Sequence, residues 1–183
     1  MSFALYKAFT TRGLRYRVIA NSQTVVVGGM LVDKSTGVQA SNASTDYELG
    51  YVTAVVTPNK VSLESASVNL ADYDGSWTAS SKTYVASASN TTAVTGKMVM
   101  VEYMPVREGD QLYANLSAAK GTTVGSNLES YYLSISTTDS RLLLETSAST
   151  TSTAAQFAIR DPLISNTDTT LIVIEVLLRQ TNV

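Results

Sequence analysis

The apolar runs of this chain are short, rich in β-branched residues, and broken at close intervals by Gly, Pro, Asn, Asp and Ser. That rhythm confines the fold more than any single motif does, because such runs are too short for helices and have the spacing of half-buried strands. Strands are predicted over residues 23–27, 49–56, 61–70, 97–104, 131–136, 141–145 and 170–179. Around Tyr131 the alternation puts Tyr131, Leu133 and Ile135 on one face and Tyr132, Ser134 and Ser136 on the other. The polar stretch 137–140 then leads into 141–145, which predicts a hairpin. After Lys60 the alternation changes phase, from Val61 and Leu63 to Ala66, Val68 and Leu70, so a bulge or bend is expected near Ser65. Pro58, Pro105 and Pro162 each follow an apolar run and mark strand ends. Only residues 111–120 have helical spacing, through Leu112, Leu116 and Ala119.

Two segments, 76–96 and 146–155, are nearly all Ser, Thr, Ala and Asn, and read as long surface loops or polar edge strands. The expected class is therefore all-β, an antiparallel β-sandwich or β-barrel, jelly-roll-like topologies included, with long Ser/Thr-rich loops. Residues 1–20 are expected to form an extended N-terminal arm and residues 21–183 a single β domain. A weak echo between 27–31 and 124–128 offers an alternative of two β subdomains with a boundary near residue 96.

The residue inventory narrows the chemistry. At 44% hydrophobic with ten Tyr, the chain is built to fold rather than to stay disordered. It has no Cys and no His, which removes disulfides, thiolate metal sites, a Cys nucleophile and the commonest general base. No nucleophile elbow, phosphate loop, dinucleotide fingerprint or zinc-protease motif is present. Asp72-Tyr73-Asp74-Gly75 and Glu108-Gly109-Asp110 hold the ingredients of an oxygen-ligand cation site but lack calcium-loop spacing, and read as ordinary turns. No cofactor, no metal and no catalytic residue is expected. Asn42, Asn90 and Asn115 fit the glycosylation pattern at a frequency that 24 Thr and 23 Ser produce by chance. Residues 1–20 carry Lys7, Arg12, Arg15 and Arg17 with no long apolar run, so no secretory leader is expected, and synthesis in a cytoplasm is.

Charge is unevenly placed. Residues 1–32 hold four basic residues and no acid, leaving nine basic and fifteen acidic residues in the remainder, +4 against -6. Within the basic segment Phe3, Tyr6, Phe9 and Tyr16 interleave with Lys7, Arg12, Arg15 and Arg17, a pattern suited to contact with an acidic protein surface. The competing readings are an ordinary first strand with solvated charges, and a nucleic-acid arm. In the last run, Ile172, Ile174, Val176 and Leu178 make one fully apolar face while Leu171, Val173 and Leu177 make the other mostly apolar. Such a strand is central in a sandwich or lies where subunits meet. Trp77, the single tryptophan, caps the edge of the core or anchors a partner.

From Pro105 the sequence reads Pro-Val-Arg-Glu-Gly-Asp-Gln-Leu-Tyr-Ala to Ala114, then Gly-Thr-Thr-Val-Gly-Ser-Asn-Leu from Gly121 to Leu128. It closes with Arg160-Asp161-Pro162-Leu163 and Asp168-Thr169-Thr170 before the run to Val176. This succession of turns and strands resembles the capsid decoration, or cement, proteins of tailed bacteriophages. Residues 25–56 share the likeness in part. The resemblance implies a structural virion protein, a homotrimer on the outer capsid surface made in the host cytoplasm. It would clamp adjacent major capsid protein subunits against the pressure of packaged DNA, without cofactor, membrane or direct nucleic-acid contact. Phe3, Tyr6, Lys7, Phe9, Arg12, Arg15 and Arg17 would then form the capsid-contact arm, and Ile172, Ile174, Val176 and Leu178 the subunit interface. The alternative is a head fibre or tail-associated adhesive protein that meets a host-surface glycan through Trp77 and its loop. A carboxylate-based glycosidase is the enzyme alternative.

Overall fold

The computed structural model describes residues 4–7, 13–41, 48–93, 96–116, 132–133, 143–144, 157–161 and 171–177. The class is all-β, and the sheets are antiparallel apart from short parallel pairings. Among the described residues the only helical turns are two 3-10 turns, Leu70–Asp72 and Asn90–Thr92. The chain divides into two compact units: residues 12–40 with 48–105, and residues 1–11 with 41–47 and 106–183. The chain passes between the units after residues 11, 40, 47 and 105, the last where Pro105 ends a strand.

In the unit comprising 12–40 and 48–105, strands β2 (Arg15–Val18), β4 (Met30–Lys34), β5 (Gly37–Ala40), β6 (Glu48–Val56) and β9 (Met100–Pro105) form one sheet, in the order β2-β9-β6-β4-β5. Strands β3 (Thr24–Val26), β7 (Ser76–Thr78) and β8 (Thr83–Val85) form a second, in the order β3-β8-β7. The two sheets share one core, in which Leu31, Val38, Val52 and Val101 of the first meet Val25 and Tyr84 of the second. The larger sheet curls until its edges touch. Ile19, just past β2, forms a parallel bridge with Val38 of β5, and the Ala20 N–H donates to the Val38 carbonyl at 2.9 Å. Gly37 permits this approach: a Cβ there would lie 2.7 Å from the Val18 carbonyl oxygen and 2.9 Å from the Ala20 nitrogen. A single bridge does not close a barrel.

In the other unit, β1 (Ala4–Lys7), β10 (Gln111–Leu116), β11 (Tyr132–Leu133), β12 (Leu143–Leu144), β13 (Phe157–Asp161) and β14 (Leu171–Val176) form one sheet, ordered β1-β10-β14-β13-β11 with β12 also on β10. Gly109 and Asp110 fasten the start of β10 to the end of β14, the Gly109 N–H donating to the Val176 carbonyl and the Val176 N–H to the Asp110 carbonyl, both at 2.9 Å.

Three local expectations are corrected. Residues 111–116 form strand β10, not a helix: Leu112 and Ala114 point inward, and five consecutive pairs with β14 outweigh a spacing that fits either period. Residues 61–70 do not form a strand. Ser62 and Ser65 side chains accept from the Glu64 and Ser67 N–H groups, and such local bonds compete with a ladder. Only the start of this segment pairs, Ser62 forming an antiparallel bridge with Val56 while the Leu63 N–H donates to the Val55 carbonyl at 2.9 Å, and this carries Leu63 into the core. The predicted hairpin is also replaced, since β11 pairs with β13 and β12 runs parallel to β10. Alternation specifies a face, not a neighbour. Segment 146–155 and the 124–128 half of the echo lie outside the described residues.

Candidate functional site

The basic N-terminal segment, expected to be an arm, is built into sheets over residues 4–7 and 15–18. Tyr6 and Lys7 belong to β1, which pairs with β10; Arg15 and Arg17 belong to β2, which pairs with β9. Phe3, Phe9 and Arg12 lie outside the described residues. The reason is ordinary strand chemistry: Arg15-Tyr16-Arg17-Val18 alternates, and pairing with β9 satisfies main-chain groups that a free arm would leave to water.

Around β2 the side chains are tied across strands. The Tyr16 hydroxyl donates to Glu102 Oε2 at 2.8 Å, and the Thr53 hydroxyl donates to Glu102 Oε1 at 2.7 Å. Thr53 reaches this position from the irregularity in β6 between Val52 and Ala54. One carboxylate therefore joins β2, β9 and β6. The bond to Glu102 is also the main reason the Tyr16 phenol is pushed above its ordinary pKa, with burial and the Glu102 charge adding to it. Arg17 forms an ion pair with Asp33 of β4 where the curled sheet opens to solvent.

The turn after β6 adds a cation. The Lys60 N–H donates to the Thr57 carbonyl, Pro58 sets the turn, and Lys60 takes a left-handed conformation at φ 62°. This places Lys60 Nζ 4.7 Å from the centroid of the Tyr16 ring. Leu14, Arg15, Lys60 and Val61 are all exposed. Together they make a basic, partly apolar strip along the free edge of the sheet. Its polar groups cross-link strands.

The remaining candidates fall elsewhere. Ile172, Ile174 and Val176 are buried within the chain itself, as is Val173 on the opposite face of β14. Flanked by β10 and β13, β14 is a central strand, so its apolar faces are not a free subunit interface; Leu178 lies outside the described residues. Trp77 packs against the shared core from β7, which is the edge-capping role. Asp72 sits in the 3-10 turn capped by the Asn69 side chain, and Asp110 accepts from the Arg107 N–H at 2.8 Å. Among the described residues no group of three or more metal-ligating side chains gathers, and no helix is long and apolar enough to cross a membrane.

Sequence reasoning missed Asn90, which it considered only as a glycosylation acceptor. Its side chain is buried, donating to the Ile19 and Val99 carbonyls at 2.7 and 3.0 Å and accepting from the Val99 N–H at 2.9 Å. It extends the β2–β9 ladder by one side chain, and only its position in a polar tract hid it.

Compared with known proteins, the chain matches no family model, and no curated protein or solved structure matches it. The bacteriophage likeness accordingly rests on the turns and strands quoted above.

Proposed function

We propose that the chain is a structural virion protein, a capsid decoration protein that binds the outer surface of a phage head and clamps neighbouring major capsid protein subunits. The observation that carries this reading is how the polar side chains of the sheets are used. Glu102 ties three strands, Arg17 of β2 meets Asp33 of β4, and Arg160 of β13 grips Glu175 of β14 through both carboxylate oxygens. Such cross-strand fastening suits a part that bears load, and the sequence resemblance supplies the setting. A clamp adds interface area that must be broken before capsid subunits separate. The homotrimer implied by the resemblance belongs to this proposal, with its interface sought outside β14.

The test is cosedimentation of the purified chain with expanded, DNA-free heads of a tailed phage that carries its coding sequence. Saturable binding over the whole head, with greater resistance of the heads to heat, is expected. A chain that stays in the supernatant, or that labels only one vertex or the tail, refutes the reading.

A further inference from the structure

Among the described residues, the unit comprising 12–40 and 48–105 has terminal strands β2 and β5 in one sheet and β3 and β7 in the other, and the β2 and β7 edges differ in charge. In the larger sheet β2 is terminal, and its closing contact with β5 begins only at Val18, so the edge from Arg15 to Arg17 has no strand partner among the described residues. Ladder alternation decides which main-chain groups point outward. Ile19 donates to β9 and Ala20 donates away from it, to β5, so Tyr16 shares the outward phase of Ala20. In the smaller sheet β7 is terminal. Val27 and Ala86 bond across β3 and β8 in a phase that turns Thr83 and Val85 toward β7. Their partners Thr78 and Ser76 face back, leaving the Trp77 main chain outward.

The surroundings of the two edges are complementary. Beside β2 stand Arg15, Lys60 and the exposed Leu14, 45% accessible; just before β7 stand exposed Asp72 and Asp74 with Leu70, 42% accessible. We infer that these edges are the two halves of one contact between copies of this chain, the β2 edge of one copy pairing with the β7 edge of the next. A parallel approach is favoured, because the free part of β2 and the two aspartates both lie on the N-terminal side of their strands. That approach sets Asp74 beside Arg15. Each copy then offers a different edge to each neighbour, so the assembly is head-to-tail and closes into a ring where the rotation permits. The occupant is a second copy because both partners of the contact are present on the same unit with opposed charge. The inference holds whether or not the chain works on a capsid.

Sedimentation of the full chain from about 10 μM to about 1 mM at low salt tests it, since so short an edge gives a weak contact. Concentration-dependent association is expected, weakened about tenfold on raising the salt from roughly 25 to 300 mM. Arg15→Glu with Lys60→Glu abolishes it, and so does Asp72→Lys with Asp74→Lys. An equimolar mixture of the two double variants restores it, because each then presents the charge that the other lost. A wild-type chain that stays monomeric, an association indifferent to salt and to either pair of reversals, or a mixture of folded variants that remains monomeric overturns the inference.

Discussion

Asn90→Ala removes three hydrogen bonds at once, and the structure allows its cost to be worked out group by group. The Val99 carbonyl keeps a second donor, the Ile19 N–H at 3.3 Å. The Ile19 carbonyl and the Val99 N–H lose the side-chain partner that Asn90 supplies, and both residues are fully buried. Each such orphan costs about 1–3 kcal/mol, so the substitution should destabilise the fold by about 4 kcal/mol. For a chain of this size that is a fall of about 10 °C in the melting temperature. Asn90→Asp sharpens the argument. Its carboxylate still accepts from the Val99 N–H, but its second oxygen faces two carbonyl oxygens. Burial and those carbonyls raise its pKa in the folded state above the unfolded value. The variant is therefore least impaired below the unfolded pKa, and loses about 1.4 kcal/mol per pH unit as the pH rises from there toward the folded pKa. Urea unfolding followed by circular dichroism at pH 4 and pH 7.5 measures both effects. An Asn90→Asp deficit that is the same at the two pH values, or an Asn90→Ala loss below about 1 kcal/mol, would refute the bonding assigned to this side chain.

Three further outcomes follow from single sites. Gly75→Ala would place its Cβ 2.1 Å from Tyr84 Oη and 2.5 Å from the Val85 carbonyl oxygen, so a loss of about 2–3 kcal/mol is expected in thermal melting. The Tyr84 phenol is pushed up to about 12, chiefly by burial, with the Asp74 charge adding and the Gly75 N–H opposing. Because the folded pKa is raised, its stabilising effect is intact below pH 10 and is lost between pH 10 and 12; unfolding titrations of wild type and Tyr84→Phe should diverge only in that window. Arg160 holds the Glu175 carboxyl below its ordinary range, with burial opposing and Gln111 assisting. Stability from this pair is present above the ordinary carboxylate pKa and lost as the pH falls. In Arg160→Ala the Glu175 titration seen by NMR should move upward, at a stability cost under about 1 kcal/mol for so exposed a pair.

Much of the strand content was legible in the sequence, and its errors share a cause. Residues 24–26, 48–56, 100–105 and 171–176 form strands close to where alternation and β-branching place them. Pro58 and Pro105 stand at strand ends because neither can donate to a ladder. Residues 61–70 pair only at their start, and the helical spacing of 111–120 gives way to strand β10 over 111–116, because a handful of apolar positions fits more than one period and the deciding bonds come from Ser side chains in one case and from β14 in the other. Tyr84 was hidden in a tract of Ser, Thr and Ala, where composition suggested loops or polar edge strands, yet it is a core residue of β8. The aromatic and basic residues of the first segment were legible as a group. That β1 and β2 would be absorbed into two different sheets was not.

By itself the sequence determined the class, because period-two burial and frequent turn residues leave sheets as the economical way to satisfy main-chain groups. It also determined the charge imbalance between its beginning and the rest, which is a matter of counting. Tertiary structure alone decided which strands are neighbours, and hence which edges stay open and which apolar faces are covered. The two-sided run at 171–176 suits a subunit boundary as well as a sheet centre; its placement between β10 and β13 made it a centre. The physical reason is that alternation is a local property of one strand, whereas pairing depends on which distant segment offers complementary main-chain groups at the right place in space.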